Sequence, residues 1–132
     1  MDGLITRDSA HDVPTTLARL NDALRAKGIT VFATIDHGAG AAGAGLELRP
    51  TIVVIFGNPK AGTPLMQAGQ TAGIDLPLKA LIWEDEKGGT HLTYNDPVWI
   101  AARHGLGSKA GQAVASLSGA LVALAEAATG QN

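Results

Sequence analysis

The segment Thr51-Ile52-Val53-Val54-Ile55-Phe56 constrains the fold more than any other, because its near-continuous run of β-branched and aromatic side chains leaves no polar face for water. Such a run reads as a strand covered on both faces or set at the centre of a sheet. Gly57-Asn58-Pro59 ends it abruptly. A strand of this kind needs neighbours, and the chain supplies them. Leu4–Ser9 reads as a short first strand and 29–35 as a β-rich second. The stretches 80–83 and 91–94 flank Glu84-Asp85-Glu86-Lys87-Gly88-Gly89, a polar, glycine-containing connection that predicts a hairpin.

Helical spacing fills the gaps. Val13, Leu17, Leu20 and Leu24 form one stripe, with Asp12 as N-cap, Pro14 in the first turn and Gly28 where a left-handed residue stops the helix. Thr63-Pro64 reads as a cap and first-turn pair opening a short helix through Leu65, Met66 and Ala68 to about Gly73. Asp96-Pro97 starts another over 98–104, closed by Gly105, and Ser108 caps the last helix. That helix repeats large apolar residues at Val114, Leu117, Leu121 and Leu124. Gly111, Gln112, Ser116, Ser118, Gly119 and Glu126 interrupt it, which makes a packed amphipathic helix a better reading than a membrane span. The order β-α-β-β-α-β-β-α-α is too rich in hairpins for a doubly wound sheet. It predicts an α+β, two-layer α/β sandwich with a mostly antiparallel or mixed sheet and helices packed on one face. With 132 residues and no linker, one domain over 1–132 is expected.

Composition removes several functions. The ten Lys and Arg residues are scattered and the net charge is -2, so nucleic acid is not an expected partner. Cysteine is absent, which excludes disulfides, thiolate nucleophiles and Cys-ligated metal. The first residues lack a basic lead and an apolar core, so a cytoplasmic protein without a membrane partner is expected.

Two glycine-rich stretches imitate nucleotide sites. Gly38-Ala39-Gly40-Ala41-Ala42-Gly43 has the dinucleotide spacing, but Pro50 arrives before a crossover helix and acidic residue can follow. A short connector is the plainer reading. Gly57-Asn58-Pro59-Lys60-Ala61-Gly62-Thr63 resembles a phosphate loop with Thr63 in place of the lysine, which leaves at most a small anion or carboxylate near Lys60. No G-x-S-x-G elbow occurs.

His37 follows Asp36 at a strand end, and His104 follows Arg103 at a helix end, where side chains from separate elements can meet. A carboxylate beside a histidine fixes its tautomer for base, ligand-contact or metal chemistry. His37, His91, His104, Asp36 and Asp96 lack metal-ligand spacing, so no metal site is expected and no cofactor is assigned. His11 and His91 read as structural.

Ile35-Asp36-His37, Gly45-Leu46-Glu47-Leu48-Arg49-Pro50, Phe56-Gly57-Asn58-Pro59, Leu65-Met66, Ile74-Asp75-Leu76-Pro77-Leu78-Lys79, Trp83-Glu84-Asp85, Tyr94-Asn95-Asp96-Pro97 and Arg103-His104 together resemble the domain-of-unknown-function 302 family over nearly the whole chain. The resemblance implies a compact α/β sandwich and carries no reaction, cofactor or catalytic residue. The leading expectation is a small-molecule binding or sensing module, with Asp36, His37, Asn58, Asp96, Arg103 and His104 around one polar-mouthed pocket above an apolar floor. One alternative is a hydrolase or isomerase-type enzyme using His37 as base with Asp36 or Asp96. Another is a dimerisation or scaffold domain, with a homodimer formed through the Ala-rich last helix.

Overall fold

The strands β1 (Leu4–Ser9), β2 (Thr30–Asp36), β3 (Thr51–Gly57), β4 (Leu78–Glu84) and β5 (Thr90–Asn95) form one sheet in the computed structural model, which describes residues 2–131. Their order is β1-β5-β4-β3-β2, and every neighbouring pair is antiparallel. The fold is therefore the expected α+β sandwich, with a purely antiparallel sheet. β4 is the central strand, and the apolar run of β3 lies between it and the edge strand β2.

Period-two alternation sends Val54, Phe56, Ala80, Ile82, Leu92 and Tyr94 into the core, where they meet the helices α1 (Val13–Ala26) and α5 (Gly111–Thr129). The expected helical stripes are the buried ones. Val13, Leu20 and Leu24 of α1 are buried and Leu17 packs against them half-buried, while Val114, Leu117, Leu121 and Leu124 of α5 are all buried. Helix α5 is long and apolar enough to cross a membrane by composition alone, but its stripe is spent on the sheet and α1. Gly28 has φ +67 and follows the C-cap Lys27 of α1, the left-handed conformation that ends a helix without a Cβ penalty. The face of β3 away from these helices is only half-covered.

Three boundaries differ from expectation, each for a local reason. The Gly- and Ala-rich connector forms a helix, α2 (His37–Gly43), because Asp36 Oδ1 accepts the Ala39 N–H at 2.8 Å and alanine carries the turn. Thr63 caps nothing. Helix α3 (Pro59–Ala68) begins earlier, at Asn58-Pro59, which carries the same cap-and-proline signal and whose Asn58 Oδ1 takes the Lys60 N–H. Pro64 then lies inside α3, and a 3-10 helix (Gln70–Asp75) completes the connection to β4. Ser108 does not cap α5 either. Its carbonyl accepts the Gly111 N–H at 3.2 Å in the preceding turn, and α5 starts without a side-chain cap. The remaining helix, α4 (Pro97–Arg103), follows β5 as expected.

Candidate functional site

Three of the expected site residues are helix caps. Asp36 caps α2, Asn58 Oδ1 accepts the Lys60 N–H at 2.9 Å to cap α3, and Asp96 Oδ1 accepts the Val98 N–H at 2.9 Å to cap α4. Each stands where a strand hands over to a helix, so the orphan amides of the first turn claim its oxygen. His37, the first residue of α2, lines a groove of about 390 Å³ with Val53, Ile55, Lys79, Leu81 and Asn95. Neither Asp36 nor Asp96 pairs with His37 among the described residues; both carboxylates accept from backbone amides. His104, Arg103, Asn58 and Asp96 are not part of that groove.

Arg103 and His104 belong to a separate cluster at the end of α4. The Asp75 carboxylate accepts the Arg103 guanidinium at 2.9 and 3.0 Å and the His104 Nε2–H at 2.6 Å. With Nε2–H so engaged, Nδ1 accepts the Thr71 hydroxyl at 2.9 Å. The His104 and Asp75 side chains are 7% and 14% exposed, so the cluster ties the 3-10 helix to α4 largely out of water. The Arg103 guanidinium lies 5.6 Å from the centre of the Trp99 ring. Asp75 and Thr71 were not legible as partners. They lie 29 and 33 residues from His104 in sequence.

His91 holds a second pairing. Its Nδ1–H donates to Asp8 Oδ1 at 2.8 Å and its Nε2–H to Asp85 Oδ2 at 2.6 Å, while its ring lies 4.5 Å from the Trp83 ring. The hydrogen bond to Asp85 raises the imidazole pKa above 6.5, and Asp8 adds to it. The His91 hydrogen bond and the Gly89 and Lys87 amides hold the Asp85 carboxyl at about 2, down from 3.8. The two shifts bound a pH window from opposite ends. The His91 contribution to stability is complete below pH 6.5 and is lost as pH rises through the raised value. The Asp85 contribution is complete above 3.8 and is lost as pH falls towards 2. Thermal melting should therefore be highest between these limits and decline as pH rises past 6.5. In His91→Gln that decline should flatten, and an unchanged slope would remove the pairing from the explanation.

Two half-open apolar spaces lie beneath α3. These cavities, of about 200 and 260 Å³, share Gly57, Asn58, Ala61, Leu78 and Leu117 as walls. Small residues create them: Gly57 and Ala61 on one side face Ser116 and Ala120 of α5 on the other, where larger side chains would close the gap. A wider hollow of about 550 Å³ adjoins them through Asn58 and Ala61 and carries Lys60, Lys109, Gln112 and Ser116. Asn58 Oδ1 is spent on its cap, which leaves the side-chain NH₂ as a donor without a protein partner among the described residues. Gly62 and Pro64 weaken α3 as a helix, and Leu65 is its buried anchor.

Of the expected site residues, His37 thus lines the open-face groove, Asn58 the α3 cleft, and Arg103 and His104 belong to the Asp75 cluster, while Asp36 and Asp96 are caps that line none of the three. The sequence model of the family described as "Domain of unknown function DUF302" matches residues 5–124. The "Fluoride-specific ion channel FluC 1" of Brucella suis biovar 1 is 49% identical over 115 residues, covering 87% of this chain and 45% of that protein. The "Fluoride-specific ion channel FluC 2" of Brucella melitensis biotype 1 is also 49% identical over 115 residues, which are 43% of its length. The chain therefore spans less than half the length of these curated relatives. The crystal structure of an uncharacterized conserved DUF302 protein from Bacillus stearothermophilus superposes with a TM-score of 0.86 at 18% identity, over 97% of this chain and 99% of that one.

Proposed function

The chain belongs to the DUF302 family, and we propose that it serves as a small-molecule binding module whose ligand lodges in the cleft between α3, β3 and α5. The observation that carries this reading is the pair of apolar cavities sharing one wall at Ala61 and adjoining a polar hollow. An apolar floor with a few polar groups at the mouth is the usual form of a ligand site. A ligand body filling the cleft would remove apolar surface from water at about 25 cal/mol per Å². The gap is built by small residues on both walls.

The relatives' ion-channel name is not carried onto this segment. Its long apolar helix, α5, buries Leu117, Leu121 and Leu124 in the core, and in those proteins the match leaves more than half the chain for other work. This module is read as an accessory to that remainder.

The neutral dye N-phenyl-1-naphthylamine tests the site. It should gain fluorescence with the native chain and lose at least tenfold in affinity in Ala61→Trp, which fills the shared wall, and in the milder Ala120→Leu. Leu81→Gln, in the open-face groove, should bind as the native chain does. Equal binding by all four proteins would overturn the assignment.

A further inference from the structure

The cleft differs from the rest of the surface in charge. The chain is net negative, yet Lys60 and Lys109 are the charged residues lining the cleft and its adjoining hollow, with no Asp or Glu beside them. Neither lysine forms an ion pair among the described residues. Lys60 lies in the first turn of α3 and Lys109 just before α5, and both line the same hollow. The groups beside them are the Asn58 NH₂, the Gln112 amide and the Ser116 hydroxyl, all able to donate hydrogen bonds. Two ammonium groups at the mouth of an apolar cavity stabilise an anion there through charge-assisted hydrogen bonds, and the low-dielectric floor strengthens their field.

Building on the binding reading above, we infer that the ligand is a small amphipathic anion: an apolar body held between Ala61, Leu117 and Leu121, and one carboxylate, sulfonate or phosphate-type head between Lys60 and Lys109. A neutral apolar compound leaves both ammonium groups unanswered. A cation is repelled. A fully hydrated inorganic anion leaves the apolar floor empty. The recognition is therefore of the two parts together.

A matched pair of probes separates charge from apolar contact, since 1-anilinonaphthalene-8-sulfonate is the neutral dye with a sulfonate added. In the double variant Lys60→Gln, Lys109→Gln, affinity for the sulfonate should fall about tenfold while that for N-phenyl-1-naphthylamine stays within twofold. The control Lys27→Gln, Lys87→Gln should leave both unchanged. Raising the salt from 0.05 to 0.5 M should weaken the anionic probe alone. Octanoate in solution should displace the bound sulfonate, whereas phosphatidylglycerol vesicles should not. If the lysine double variant binds both probes as the native chain does, the anion assignment is overturned while the cleft stands. If Ala61→Trp also binds both probes unchanged, the cleft itself is wrong. Displacement by vesicles would overturn the assignment to a free small molecule.

Discussion

Replacing Asp75 by alanine should lower the free energy of unfolding by about 3 kcal/mol, read from urea denaturation. The carboxylate accepts from both Arg103 and His104, and its removal strands the imidazole, whose side chain is 7% exposed. Arg103 is half-exposed and can rehydrate, which keeps the cost at the lower end of that for breaking a buried pair. Arg103→Ala should accordingly cost about 1 kcal/mol. Asp75→Asn should fall between, because it keeps an acceptor and loses the charge. A cost below about 1 kcal/mol for Asp75→Ala would mean that the 3-10 helix and α4 are held together by something else.

Phe56→Ala should be more severe, about 3–5 kcal/mol. The ring is 1% exposed, and it is the largest fully buried side chain of the core. Such a loss approaches the whole stability of a small domain, so Phe56→Leu, expected to cost about 1–2 kcal/mol, provides the measurable version. Phe56 also walls the inner cavity of the cleft. Truncation therefore enlarges the space offered to a ligand body. In Phe56→Leu, saturating N-phenyl-1-naphthylamine should raise the melting temperature by more than it does in the native chain. Equal increments in the two proteins would separate Phe56 from the binding space.

The layers of the fold were legible because they are written as periodicity. Val114, Leu117, Leu121 and Leu124 declare a buried helical stripe, and the β3 run declares an inner strand, whatever the residues opposite them. Helix starts were less legible, since Asn58-Pro59 and Thr63-Pro64 carry the same signal five residues apart and only packing decides between them. The polar residues are ambiguous for a related reason. Asp and Asn at strand ends are chosen by free helix amides as readily as by ligands, and at positions 36, 58 and 96 the amides have them. His104 gave no sign of Asp75, because their contact exists only once α4 packs against the 3-10 helix. A cleft is harder still to read. Gly57, Ala61, Ser116 and Ala120 are ordinary residues singly and become a cavity only when they face one another.

Isotope-filtered NMR on labelled protein with saturating octanoate places the ligand directly. Nuclear Overhauser contacts from the terminal methyl of octanoate should reach the methyl groups of Ala61, Leu117 and Leu121, with chemical-shift changes at the amides of Lys60 and Lys109. Contacts confined to Val53, Ile55 and Leu81 on the open face of the sheet, or no intermolecular contacts at all, would contradict a ligand site beneath α3.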